Sequence, residues 1–159
     1  MSVTSGSSGH EMLTYLLLAG NNGAPIDDDL IRRFDVDDPP EAPFHPDERI
    51  VWRNHDGSVV FFGWQAFTEV AGIGSHWATD DRGLTAFAGL CWPKDTGWNH
   101  ASGESWASRL RAFLGQDPRI PDVREGLFGQ FTIVSIPERG IGWVLPDWAG
   151  IQQWFFSYP

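Results

Sequence analysis

One cysteine, Cys91, in 159 residues excludes an internal disulfide, so the fold rests on its core. Basic residues are also scarce: 11 Lys and Arg stand against 21 Asp and Glu, a net charge of -10. Nucleic acid and anionic membranes both demand clustered cations to neutralise phosphate, so neither is an expected partner. No run approaches the roughly 20 apolar residues of a membrane span. The apolar run from Leu13 to Ala19 is short and follows no basic region, which makes a poor signal peptide, and a cytoplasmic protein is expected. Long apolar runs are few, while 18 Gly and 11 Pro punctuate the chain, which favours short strands and turns over a helical bundle.

What is present is apolar and aromatic. Hydrophobic residues make up 42% of the chain, with nine Trp and eleven Phe, ample for one core in a chain of single-domain length. The expectation is an α+β fold with strands dominant, residues 12–159 forming one domain behind a flexible leader at 1–11. That leader, Met1 to Glu11, is Ser/Gly-rich and lacks apolar spacing, and it fits a native extension or a tag remnant. Met12 to Ala19 reads as a strand buried on both faces, although so short an apolar run also fits a helix. Asp27 to Phe34 predicts a short helix, with acids at its N-terminal end and Leu30, Ile31 and Phe34 as its apolar side. Asp35 to Glu48 predicts an exposed loop. Its Asp35, Asp37 and Asp38 lack the Gly and terminal Glu of a calcium loop and read as solvated charge.

Arg49–Trp52 and Ser58–Trp64 flank His55-Asp56-Gly57, a hairpin signal, and Asp80-Asp81-Arg82-Gly83 is a turn before a strand at Leu84–Trp92. Trp106, Leu110, Phe113 and Leu114 recur at helical spacing, with Ser102 as a cap and Gly115 and Pro118 as the stop. From Leu127 onward the chain reads as a three-stranded meander: a strand through Phe131 to Ile136, a turn at Pro137–Gly140, a strand at Ile141–Leu145, a break at Pro146–Gly150, and a strand at Ile151–Phe156.

The order Leu127, Gly129, Phe131, then a hairpin, then Asp147, Gly150 and Trp154-Phe155, resembles the glutaminase-type domain that opens asparagine synthetase, β-lactam synthetase and lasso-peptide cyclases. Thr132 stands where that family has alanine, and Pro146 where it has arginine. The resemblance implies a four-layer αββα arrangement of the Ntn-hydrolase type, here incomplete, in which stacked antiparallel β-sheets are flanked by helices. It implies as partner a synthetase domain, in cis or in trans, to which ATP and Mg²⁺ would belong. No cofactor is expected in this chain, and a homodimer is compatible with the pattern. The setting implied is amide bond formation in natural-product biosynthesis.

The catalytic parts of that family are missing. Its N-terminal cysteine attacks the glutamine amide with its own α-amino group as base, whereas here Ser2 follows Met1 and Leu13 follows Met12. Cys91 lies inside an expected strand and reads as an inert thiol. The family's oxyanion Asn-Gly corresponds to Ala88-Gly89, which keeps the glycine and loses the side-chain donor, a loss of about 10²–10³ in rate where measured. No aspartate matches near Ser102-Gly103-Glu104, and Arg53 and Arg82 read as surface charge rather than as a carboxylate clamp. No residue is therefore assigned a catalytic role; Gly89, Gly129, Phe131, Asp147 and Gly150 are assigned to the scaffold.

Other constellations are weaker. His10, His45, His55, His76 and His100 lack zinc spacing, and neither a phosphate loop nor a Gly-x-Ser-x-Gly elbow is present. A stand-alone β module that binds carbohydrate or peptide through exposed Trp is the rival reading. A working hydrolase using Ser2 or a processed terminus is the third.

Overall fold

The structure, a computed structural model, describes residues 2–4, 12–37, 45–66, 75–94, 106–114, 123, 125–140 and 142–146. It is mostly antiparallel β-sheet with two helices of defined extent, an α+β composition. The chain divides into two compact units where composition suggested one domain.

The first unit holds β1 (Ser2–Thr4), β2 (Met12–Ala19), α1 (Asp28–Phe34), β3 (Glu48–Arg53) and β4 (Val59–Ala66), its four strands in the order β1-β2-β4-β3. β2 pairs with β4 along its whole length, from Met12↔Ala66 to Ala19↔Val59. The Val-Val-Phe-Phe run that opens β4 suits a strand covered on both sides, because β-branched and aromatic side chains fill a pleated surface. Val60, Phe62, Trp64 and Ala66 join Leu16, Leu18 and Ile26 on one face, against Ile31, Phe34 and Val36. On the other face Tyr15 meets Phe61 with ring centroids 5.0 Å apart. Met12–Ala19 is thus a strand, with neighbours Tyr15 and Leu16 both buried as the two-faced reading requires.

Within the leader expected at 1–11, Ser2–Thr4 form a strand, and the other leader residues lie outside the described residues. These three residues pair with β2, Ser2 facing Leu16 and Thr4 facing Thr14. Composition could not show it, since an added edge strand is held by main-chain hydrogen bonds available to any non-proline sequence.

α1 starts where the sequence predicts. The Asp27 carboxylate accepts from the backbone N–H of Asp29 at 2.7 Å and of Leu30 at 3.3 Å, capping orphan donors. Asp28 and Asp29 in the first turn and Arg32 and Arg33 in the last suit the helix dipole. The hairpin predicted at His55–Gly57 joins β3 to β4. Asn54 Oδ1 accepts from Val59 N at 2.9 Å, and Asp56 accepts from the Ser58 N–H and hydroxyl.

The second unit holds β5 (Trp77–Asp80), β6 (Gly83–Pro93), α2 (Trp106–Leu114), β7 (Leu127–Pro137) and β8 (Trp143–Pro146), with strands in the order β5-β6-β7-β8. Every neighbouring pair is antiparallel. Leu110 and Leu114 of α2 are buried, as their spacing predicts, and pack with Ala107, Phe87, Val123, Leu127, Phe131, Ile133 and Leu145. The Asp80–Gly83 turn forms as expected, its Asp80 carboxylate accepting from the backbone N–H of Arg82 and Gly83. The expected hairpin at 137–140 also forms, with β8 at Trp143–Pro146, while Ile141 lies outside the described residues. The third strand expected at Ile151–Phe156, the cap at Ser102 and the stop at Gly115 lie outside the described residues.

Candidate functional site

The sheet of the second unit holds some of the residues that carry the sequence resemblance. Across β6 and β7, Gly89 faces Phe131 and Cys91 faces Gly129, so Gly89 and Phe131 share a row and Gly129 lies two rows away. Gly89 has φ +84° and Gly129 φ +127°, conformations in which a side chain would be strained. Phe131 is buried in the cluster under α2. Asp147 and Gly150 lie outside the described residues.

The adjacent row is more informative. Ala88 faces Thr132, and Thr132 in turn faces Pro146. At all three the sequence departs from the pattern it resembles, and they form one line across β6, β7 and β8. Side chains alternate along a strand. Phe87, Ile133 and Leu145 pack with α2, so Ala88, Thr132 and Pro146 belong to the opposite face. Ala88 and Thr132 are buried and Pro146 is half-buried. The row offers a methyl, a hydroxyl and a proline ring. It holds no charged group, hence no general acid, base or carboxylate clamp.

Ser2 pairs with Leu16 in the first unit. Cys91 is within β6, as the sequence predicts; its side chain and Glu104 lie outside the described residues. Arg53, read as plain surface charge, donates to Asp28 at 2.8 Å and to the Ile26 carbonyl at 3.4 Å. Arg82 is exposed in the β5–β6 turn. The expected solvated carboxylates Asp35 and Asp37 are both partners of Arg49, at 2.7 and 2.6 Å. Nothing in their local spacing signals this, because Arg49 comes from a strand beyond the loop.

Two carboxyl groups have shifted acidity. Burial pushes the Asp80 carboxyl up, but hydrogen bonds from Arg111 and from the Arg82 and Gly83 N–H groups, with the Arg111 charge, outweigh it and hold the group below its ordinary value. The hydroxyl and then the N–H of Ser58 lower that of Asp56. Sequence reasoning missed Arg111, although its place between Leu110 and Leu114 on the buried side of α2 was a usable signal. It also missed His76, buried with its ring 4.6 Å from that of Phe87, and Thr85, whose buried hydroxyl has no hydrogen-bond partner among the described residues.

Among the described residues no three His, Cys, Asp or Glu are grouped as a metal ion would require, and no helix is long and apolar enough to cross a membrane. Of the tryptophans whose side chains are described, Trp64 and Trp77 are buried and Trp52 and Trp143 half-buried. Trp64 Nε1 donates to the Val36 carbonyl at 2.9 Å. Compared with protein-family models, curated proteins and solved structures, the chain gives no match.

Proposed function

We propose that this chain is a non-catalytic glutamine-amidotransferase-like domain of an asparagine-synthetase-like, ATP-dependent amide-forming protein, and that it acts as a scaffold for a synthetase domain. The observation that carries the reading is the Ala88–Thr132–Pro146 row. In the resembled family these positions hold Asn, Ala and Arg, the first an oxyanion donor and the last part of the strand motif, with the alanine between them in the row. Here the row has neither side chain, and the loss of the oxyanion donor at Ala88 supports a non-catalytic role. The antiparallel β6–β7 and β7–β8 pairings support the reading as two of the pairings the resemblance implies, and an Ntn-hydrolase-type fold is part of this proposal. ATP and Mg²⁺ belong, in this reading, to the synthetase domain. The rival Trp-lined binding module needs exposed indoles, and none of the four described tryptophans is exposed.

The test has two arms. Incubated with glutamine, the chain is expected to release no ammonia above a heat-denatured control. Mixed with the polypeptide encoded immediately downstream, it is expected to co-elute and to support ATP-dependent amide formation from free ammonia. Glutamine-dependent ammonia release by the chain alone would overturn the reading.

A further inference from the structure

We propose that Asp27–Asp37, the segment carrying α1, is a salt-sensitive strap that opens locally from the first sheet while β2 and β4 stay paired. The inference is independent of the amidotransferase reading.

The strap and the surface beneath it differ in how they are held. α1 has seven residues, none of them buried, and a helix of that length has no stability of its own. It contributes half-buried Ile31 and Phe34, followed by Val36. Beneath these, Val60, Phe62, Trp64, Leu16 and Leu18 are buried and belong to strands zipped over eight residue pairs. Ile26, just before the strap, is itself buried, and its N–H donates to the Gly57 carbonyl at 2.8 Å, which makes it the fixed end.

Besides the apolar contacts and one hydrogen bond, from Trp64 Nε1 to the Val36 carbonyl at 2.9 Å, the fastening is ionic at both ends of the helix. Arg49 faces Trp64 and Arg53 faces Val60 across the β3–β4 ladder, so both arginines project on the face that α1 covers. Arg53 holds Asp28 at the N-terminal end of the helix, at 2.8 Å. Arg49 holds Asp35 and Asp37 just past its C-terminal end, at 2.7 and 2.6 Å. The side chains in these three pairs are 36–97% exposed, so mobile ions reach them and screen them. Buried strand pairing has no such sensitivity. High salt therefore loosens the strap selectively and bares the Phe62–Trp64 face, whose rings stack at 6.0 Å.

Amide hydrogen exchange of the full chain in 50 mM and 1 M NaCl tests this. Amides of Leu30–Phe34 are expected to exchange faster than those of Phe61–Trp64 in the same molecule. High salt should accelerate the former about five-fold, the size of effect a few screened surface pairs produce together, and leave the latter unchanged. Arg49→Gln combined with Arg53→Gln should give the fast rate at low salt and no further salt response. Should that variant misfold, β4 protection will show it, and Asp37→Asn, at the most exposed carboxylate, should shift the rate in the same direction by a smaller factor. Equal protection of α1 and β4, or a salt response shared by both, overturns the proposal.

Discussion

Arg111 sets Nε and Nη2 at 3.0 and 2.8 Å from the same carboxylate oxygen of Asp80, tying α2 to the β5–β6 turn. The arginine side chain is 8% exposed and the aspartate 39%, so the cation depends on its partner far more than the anion does. The same oxygen accepts from the backbone of Arg82 and Gly83, so one group fixes the turn and anchors the helix.

Removing either end has unequal consequences. Arg111→Ala loses the ion pair and the packing of the side-chain stem but leaves a carboxylate that water still reaches, for a cost of about 2 kcal/mol. Asp80→Ala strands a buried guanidinium and releases two turn amides, and costs about 3 kcal/mol. Urea unfolding monitored by circular dichroism should rank Asp80→Ala below Arg111→Ala, with both below the parent protein.

The acidity of Asp80 and Asp56 sets a pH dependence. Both folded-state values lie below the ordinary 3.8, so both groups bind protons more readily in the unfolded chain. Their contribution is therefore complete well above pH 3.8 and is lost as pH falls below it towards the folded-state values. The urea midpoint is expected to be flat between pH 5 and 7 in this respect and to drop below about pH 4, with a shallower drop in Asp80→Asn. Equal acid slopes in the parent and Asp80→Asn would contradict the assignment.

Local features were legible and cross-chain ones were not, for a physical reason. Asp27 to Asp29 announce α1 because negative charge acts on the dipole of the first turn only, and the cap that Asp27 forms is just as local. Asp56-Gly57 and Asp80–Gly83 announce hairpins because turn chemistry is confined to a few residues. The spacing of Leu110 and Leu114 shows the buried side of α2 for the same reason. By contrast, that Ala88, Thr132 and Pro146 share a row depends on the registers of two ladders, and a slip of one residue in either would send them to opposite faces. The pairing of Ser2–Thr4 with β2 and the grip of Arg49 on Asp35 and Asp37 are likewise long-range events that no short window contains.

The core of the second unit gives a contrast between two leucines on helices. Leu110 is fully buried at the centre of the α2 contact, whereas Leu30 on α1 is 37% exposed. Leu110→Ala removes buried methyl groups and leaves a cavity, for about 3 kcal/mol. Leu30→Ala should cost clearly less, about 1 kcal/mol, because over a third of its surface is already in water and no closed cavity is left. Thermal unfolding of the two variants in parallel checks the difference.

Gly83 and Gly140 separate backbone strain from collision. Both have positive φ, +142° and +97°. A Cβ on Gly83 would lie 2.1 Å from the Ile136 carbonyl oxygen and 2.8 Å from the Pro137 Cα, main-chain atoms locked in the β6–β7 ladder, while a Cβ on Gly140 meets nothing within 4 Å. Gly140→Ala should therefore cost the strain alone, about 1–2 kcal/mol. Gly83→Ala must also push β7 away from β6 at the end of the ladder, where Glu138 N–H donates to the Arg82 carbonyl at 2.7 Å, and should exceed it by at least about 2 kcal/mol. Hydrogen exchange locates the damage: the Gly83 variant is expected to lose protection at Leu84 and Ile136 first, and uniform loss across β6 and β7 would show that the close approach at Gly83 is not where the strain enters.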